Sequence, residues 1–273
     1  MNKITGLLVP LITPMHHGKF DGQAMGKLIK SLEKYVDGYV PCLSSGEGAM
    51  MSDQLWQEVV ASVRSKTVKP VIAGIKRKKI KDIVKLAGLA KKMNCNAIIL
   101  PVPFNSDQKN IKFFEHVASK ISMPIVIYNT ETAAFKSIAA VKKINKLSNI
   151  IAIKDSSMNI GLFKQLLALK ATGELRINLF QGMEHLLLES KGCDGFLVSL
   201  LNVEPKLCKS MFKSFSKKTN LKILNKFWTY NLGGEWYITL KGLLYSQGII
   251  RSSEQINPAI KIWKKFYSIP AFT

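Results

Sequence analysis

Eight short apolar runs mark roughly the first two hundred residues, and their spacing leaves few folds open. They read GLLVPLIT (6–13), GYVPCL (38–43), KPVIAGI (69–75), NAIILPV (96–102), MPIVIYN (123–129), IIAIKD (150–155), RINLFQ (176–181) and GCDGFLVS (192–199). Their starts lie 26 to 32 residues apart until the last, which follows a shorter gap. Apolar runs of this length, bounded by polar or turn residues, read as strands buried on both faces. The segments between them carry helical spacing: Met25, Leu28, Ile29 and Leu32 share one helix face, as do Ile80, Ile83, Val84 and Ala87, and Phe113, Phe114, Val117 and Ile121 come close to it. Strand–helix units repeated at this period imply parallel strands joined by right-handed crossovers, and eight units close a barrel. The competing fold is an open doubly wound sheet. Its dinucleotide-binding form wants G-x-G-x-x-G after the first strand, where this chain has PMHHGKFD. The sequence therefore predicts an α/β chain, a (β/α)8 TIM barrel over residues 1–203. After Ser199 no such run returns. Helical spacing alternates with lysines, punctuated by Asn231-Leu232-Gly233-Gly234 and Ile256-Asn257-Pro258, which predicts a C-terminal helical extension of about three helices over 204–273.

Composition excludes several classes. At 273 residues with 47% hydrophobic content the chain can bury a large core and is globular. No apolar run approaches the ~20 residues that span a bilayer, so no membrane segment is expected. Two prolines interrupt MNKITGLLVPLITP and no A-x-A site follows it, which argues against a signal peptide. Cys42, Cys95, Cys193 and Cys208 form no C-x-x-C pair and read as small buried hydrophobes in a reducing cytoplasm. The histidines His16, His17, His116 and His185 are scattered, with His16-His17 in a loop, and no metal-ligand spacing is present. The net charge of +22 suggests nucleic acid, but two features argue against it. Only four of the 40 basic residues are arginine, the side chain that reads phosphates and guanines bidentately. The lysines are also spread along outer helix faces, with one dense cluster, IKRKKIK from Ile75 to Lys81.

Chemistry in a barrel sits at the C-terminal ends of its strands. The sixth run ends on Lys154-Asp155, and a buried strand does not end on an ammonium group without a reason. Burying that charge is costly, the usual relief is loss of the proton, and a neutral amine attacks carbonyls to form a Schiff base. The bland reading is a lysine that reaches solvent or pairs with Asp155. The fifth run ends on Tyr128-Asn129, so adjacent strands place a phenol beside the amine, and a phenol can relay the protons that imine formation moves. The second run ends in Ser44-Ser45-Gly46-Glu47, a turn before a helix whose hydroxyls and amides can seat a small carboxylate, with Glu47 placed to orient it. Separately, a strand-end tyrosine is usually a core residue and Ser-Ser-Gly usually an N-cap. Together on one barrel face they form a site.

These residues resemble the dihydrodipicolinate synthase / N-acetylneuraminate lyase family of class I pyruvate-dependent aldolases. The likeness runs nearly the whole length. It includes G-x-x-x-P-x-x-T-P (Gly6, Pro10, Thr13, Pro14) with Asp21 after it, S-S-G-E at 44–47, Y-N at 128–129, I-K-D-S-S at 153–157, and Gly192, Gly195, Phe196, Asn202 and Pro205 in a later pattern. The resemblance implies that Lys154 forms the Schiff base with pyruvate or a related 2-oxo acid and that Tyr128 shuttles protons. It implies that Ser44 and Ser45 hold the carboxylate and that the Leu197 backbone lies close to the substrate. It also implies no metal, no organic cofactor, and a homo-oligomer, dimer or tetramer.

The departures concern the second substrate. Where the resemblance calls for an arginine five residues after the tyrosine, this chain has Ala133. Where it calls for a tyrosine near the end of strand 4, the chain has Pro103-Phe104. Glu131 replaces a proline and Leu43 a glycine. Alanine cannot pair with a carboxylate and phenylalanine cannot relay a proton. The expected function is thus an aldolase or lyase that joins pyruvate to an aldehyde or splits a 2-oxo acid, with 4-hydroxy-tetrahydrodipicolinate synthase as the first alternative. A non-catalytic binding relative is an alternative of another class. The basic stretch Lys76-Arg77-Lys78-Lys79 falls at the same barrel end. It reads either as a solvated surface or as an attractor for an acidic sugar or a phosphorylated aldehyde.

Overall fold

The computed structural model describes residues 4–234 and 236–256. Eight parallel strands form one sheet: β1 (Gly6–Pro10), β2 (Gly38–Val40), β3 (Ile72–Gly74), β4 (Ala97–Pro101), β5 (Ile125–Asn129), β6 (Ile150–Asp155), β7 (Asn178–Gln181) and β8 (Gly195–Phe196). The spatial order is β2-β1-β8-β7-β6-β5-β4-β3. A single parallel bridge, Tyr39 to Val71, brings the two ends together. Tyr39 N–H donates to the Pro70 carbonyl (2.9 Å) and Gly74 N–H to the Pro41 carbonyl (2.9 Å) across this seam. Gly74 has no substitute here, because a Cβ would stand 2.5 Å from the Cys42 carbonyl oxygen. The result is the (β/α)8 barrel that the spacing of apolar runs predicts.

Period-two alternation sorts side chains between two cores. Leu8, Val40, Ile72, Ile99, Val126, Ala152, Phe180 and Leu197 fill the barrel interior. Leu7, Val9, Ile98, Ile125, Ile127, Ile153, Leu179 and Phe196 face the surrounding helices. A register shift between Ile125 and Val126 pairs Val126 with Ala152 rather than Ile151. That irregularity puts Ala152, and therefore Lys154, on the inward face.

The helices are α1 (Gly22–Leu32), α2 (Asp53–Ser65), α3 (Ile80–Lys92), α4 (Asp107–Lys120), α5 (Ile138–Ile144), α6 (Ile160–Ala171), α7 (Pro205–Ser214), α8 (Lys217–Thr229) and α9 (Trp236–Ser246). The predicted apolar faces turn to the core, with Ile83 and Ala87 on α3 and Phe114 and Val117 on α4 buried and Ile80, Val84 and Phe113 half-buried. Met25, Leu28, Ile29 and Leu32 are all buried on α1, whose N-terminus is capped by Asp21. Between β7 and β8 two short 3-10 turns, Glu184–Leu186 and Leu188–Ser190, stand where a helix would be, as the shorter final gap requires. The expected boundary at 203/204 falls just before α7, which packs against β1 and α8. Asn257, Pro258 and the rest of the expected C-terminal segment lie outside the described residues. The His16-His17 pair belongs to a tight hairpin, Met15–His16 with Lys19–Phe20, rather than an open loop. No described helix is long and apolar enough to cross a membrane.

Candidate active site

At the C-terminal mouth of the barrel lies a cavity of about 950 Å³. Its floor and near wall come from strands β5 and β6. Tyr128 and Lys154 are directly paired in register, and both point inward. Lys154 is only 5% exposed, yet it lines the cavity. Its Nζ sits 4.1 Å from the centroid of the Tyr128 ring. The amine thus rests on the aromatic face, a placement that stabilises a cation there. A protonated imine formed at that nitrogen would sit against the same face.

The route of the lysine is set by Gly182, just after β7. A Cβ at that position would stand 2.7 Å from Lys154 Cε and 2.9 Å from the Asp155 carbonyl oxygen. Asp155, beside the lysine in sequence, is buried and faces Ser157 and Asn129. Burial pushes its carboxyl above the usual carboxylate range. The expected alternative of a Lys154–Asp155 pair is not among the described ion pairs, because alternation sends the two side chains to opposite faces of β6.

Ser44 and Ser45 both line the cavity. They do not cap a helix. The backbone turns repeatedly from Pro41 to Met50, with Cys42 (φ 60°) and Glu47 (φ 57°) in the left-handed region, and α2 starts only at Asp53 behind its own cap, Ser52. Three side chains hold the turn. Thr13 Oγ1 donates to the Gly46 carbonyl (2.8 Å). Trp236 Nε1 donates to Ser45 Oγ (3.1 Å). Lys241, fully buried on α9, pairs with Glu47. Ser45 Oγ also lies 2.9 Å from Ser199 Oγ. A hydroxyl has two acceptor positions and one proton. With Trp236 and Ser199 donating, the Ser45 proton is free for an anion in the cavity.

Leu197 is not part of the cavity wall. It is fully buried in the barrel interior with Val126, Ala152 and Phe180, and its N–H donates to the Gln181 carbonyl (2.9 Å). Two further groups belong to the site although the sequence did not single them out. Trp236 comes from α9, distant in sequence. Glu184 follows β7 and lines the cavity with its carboxyl buried. Burial raises its pKa, although Leu200 N–H donates to Oε1 (3.0 Å) and Lys154 is near enough to oppose the shift. The one available signal was its strand-end position in Gln181-Gly182-Met183-Glu184.

The two departures also face the cavity. Ala133 lines it, with its carbonyl accepting from Thr130 N (2.9 Å). Phe104 stands at the rim, held by Asn110, which accepts from Phe104 N (3.0 Å) and donates to its carbonyl (2.8 Å).

The parallel barrel carries an inward lysine and tyrosine paired at the strand ends and opening on the same cavity, the architecture of a TIM-barrel enzyme. A family model described as the dihydrodipicolinate synthetase family matches residues 3–267, and the chain belongs to that family. Membership supports class I pyruvate-dependent aldolase activity. Named relatives are similar to it at modest identity. A 4-hydroxy-tetrahydrodipicolinate synthase of Archaeoglobus fulgidus is 28% identical over 218 residues, covering 77% of this chain and 74% of the relative. One from Campylobacter jejuni is 27% identical over 272 residues, covering 93% and 90%. Among solved structures, dihydrodipicolinate synthase from Bacteroides thetaiotaomicron superposes with a TM-score of 0.84 at 24% identity, covering 94% of each chain. A prophage protein of the same family from E. coli K12, in complex with pyruvate, gives 0.82 at 20% identity, covering 93% and 92%.

Proposed function

We propose that this protein is a Schiff-base aldolase or lyase in which Lys154 carries pyruvate or a related 2-oxo acid as an imine and Tyr128 moves the protons. One observation carries this reading: a lysine buried at a strand end, paired in register with a tyrosine and open to the cavity. The amine adds to the keto carbon, and the carbinolamine takes up a proton through Tyr128 and loses water to give the protonated imine. That imine is an electron sink, so a proton leaves the adjacent methyl carbon and an enamine forms. The enamine carbon bonds to an aldehyde carbon, and the aldehyde oxygen takes up a proton. Water then hydrolyses the imine and frees the amine. Cleavage of a 4-hydroxy-2-oxo acid is the same sequence reversed. Ser44 and Ser45 hold the 2-oxo acid carboxylate, with the Ser45 proton directed at it. Leu197 closes the barrel beneath the site and acts through its backbone. No metal or organic cofactor enters this scheme.

The names of the relatives favour 4-hydroxy-tetrahydrodipicolinate synthase as a second reading. Ala133 and Phe104 in the cavity wall weigh against it, since neither can pair with a carboxylate or relay a proton. Rescue of a diaminopimelate auxotroph would establish that activity, and lack of turnover with aspartate semialdehyde would remove it. A non-catalytic binding relative is the reading that imine chemistry must exclude.

We place the protein in the cytoplasm as a homo-oligomer, dimer or tetramer. Four unpaired cysteines support a reducing compartment, and sedimentation velocity would measure the assembly. The deciding experiment for the site is pyruvate with borohydride, followed by peptide mass analysis. A reduced pyruvyl adduct on Lys154, lost in Lys154→Ala, is expected. A folded protein with an accessible lysine and no adduct would favour another 2-oxo acid or the non-catalytic relative.

A further inference from the structure

We propose that Lys76 and Lys78 form a phosphate-binding wall in the active-site cavity, and that the aldehyde handled here carries a phosphate monoester at the end remote from its carbonyl. The proposal rests on the Lys154 reading above. Lys76, Arg77 and Lys78 all line the cavity from the β3–α3 loop. Their roles divide by their bonds. Arg77 Nε lies 3.2 Å from Asp53 Oδ1, and its Nη atoms donate to the carbonyls of Gly48 (3.2 Å), Lys76 (3.0 Å) and Met51 (3.0 Å). That guanidinium fixes the loop and has no free fork left for a substrate. Lys85 takes the other oxygen of Asp53 at 2.8 Å. Lys76 and Lys78 are exposed, and among the described residues neither joins an ion pair. Two ammonium groups therefore line the cavity outside any described ion pair.

The surrounding groups give this charge a direction. Ile80, the first residue of the 13-residue helix α3, lines the cavity, and its cap Lys79 makes no side-chain hydrogen bond to the first turn. The helix end adds positive potential to that of the lysines. Glu131, from the loop after β5, also lines the cavity and repels an anion from its own side. The deep end holds Lys154, Ser44 and Ser45, which the 2-oxo acid occupies. An anion at the rim therefore belongs to the second reactant. Two point charges suit a phosphate monoester of about −1.5 to −2, whereas a carboxylate is best met by an arginine fork, and Arg77 is committed elsewhere. The phosphate is a spectator: the new bond joins the enamine carbon to the aldehyde carbon, and the phosphate orients and retains the aldehyde.

The test uses unreactive probes on the full chain loaded with pyruvate: glycerol 3-phosphate, glycerol and butyrate, measured by calorimetry. Glycerol 3-phosphate should bind about five- to tenfold tighter than glycerol, with the advantage shrinking as salt rises and disappearing in K76Q/K78Q. Butyrate should gain much less. The borohydride adduct on Lys154 should form equally in both proteins, which shows the variant is folded and the imine site intact. With the adduct retained, equal binding of glycerol 3-phosphate and glycerol, an advantage that survives K76Q/K78Q, or butyrate binding as well as the phosphate, each overturns the proposal alone. Loss of the adduct in the wild-type protein overturns the Lys154 reading and this proposal with it.

Discussion

Two buried lysines, Lys154 and Lys241, differ in pairing and in access to the cavity. Lys241 is completely buried on α9, pairs with Glu47 and donates to the Glu254 carbonyl (2.7 Å). Burial pulls its pKa down, and Glu47 opposes that shift. Lys154 is nearly as buried, but it has no described carboxylate partner, rests on an aromatic face and opens into a cavity. Lys241 spends its charge on holding the Ser44-Ser45 turn through Glu47, which also accepts from Ile256 N at 2.8 Å. Lys154 has nothing to hold. Burial is common to both; access to the cavity and the absence of a salt bridge among the described residues distinguish Lys154.

Exchanging the fates of the two lysines gives the largest contrast. Lys154→Ala should remove the adduct and turnover while leaving the melting temperature nearly unchanged. Lys241→Ala should cost about 3–5 kcal/mol by stranding the Glu47 charge, read by chemical denaturation, while the protein that remains folded still forms the adduct. Denaturation in which both variants lose the same stability would break the comparison.

Tyr128→Phe keeps the ring under Lys154 and removes only the hydroxyl. It should lower kcat by about 10²–10⁴ while the pyruvate adduct still accumulates. An unchanged kcat would show that another group moves the proton.

Gly182→Ala should displace Lys154 and cost roughly 1–3 kcal/mol through overpacking against the Asp155 carbonyl. Slower adduct formation than in wild type is expected from single-turnover trapping. A normal rate would mean that the lysine reaches the cavity by another path.

The smallest effect concerns Glu184. Its folded pKa lies above the ordinary 4.5, so the folded state binds more protons than the unfolded state from about 4.5 up to the raised value. Its contribution to stability is present below 4.5 and is lost as pH rises through the folded pKa. Glu184→Gln should flatten that fall in a pH series of denaturation midpoints. An identical slope in the variant would assign the fall to Asp155, whose carboxyl is raised by the same cause.

Much of this architecture was readable one strand at a time. Period-two runs and helical spacing are local, so the barrel and its inner and outer faces followed from them. The strand-end rule picked Lys154, Tyr128, Ser44 and Ser45 from the chain. Glu184 also follows a strand end, but nothing local says that a carboxyl will be buried there. The family resemblance put the Leu197 backbone close to the substrate; the fold buries the side chain in the barrel interior and engages its N–H with Gln181. Local pattern put Ser44 and Ser45 in a turn but not the left-handed backbone at Cys42 and Glu47, the second of which is paired with distant Lys241.

By itself, then, the sequence determined the eightfold repeat, the identity of the strand-end side chains and the departures at Ala133 and Phe104. Only the tertiary structure decided which lysine is free and which is paired. Glu47 and Lys241 lie 194 positions apart, and Ser45 and Trp236 lie 191 apart. Periodicity is a property of neighbours along the chain, whereas burial, pairing and access to a cavity arise when distant segments meet, and those decide the chemistry of an amine.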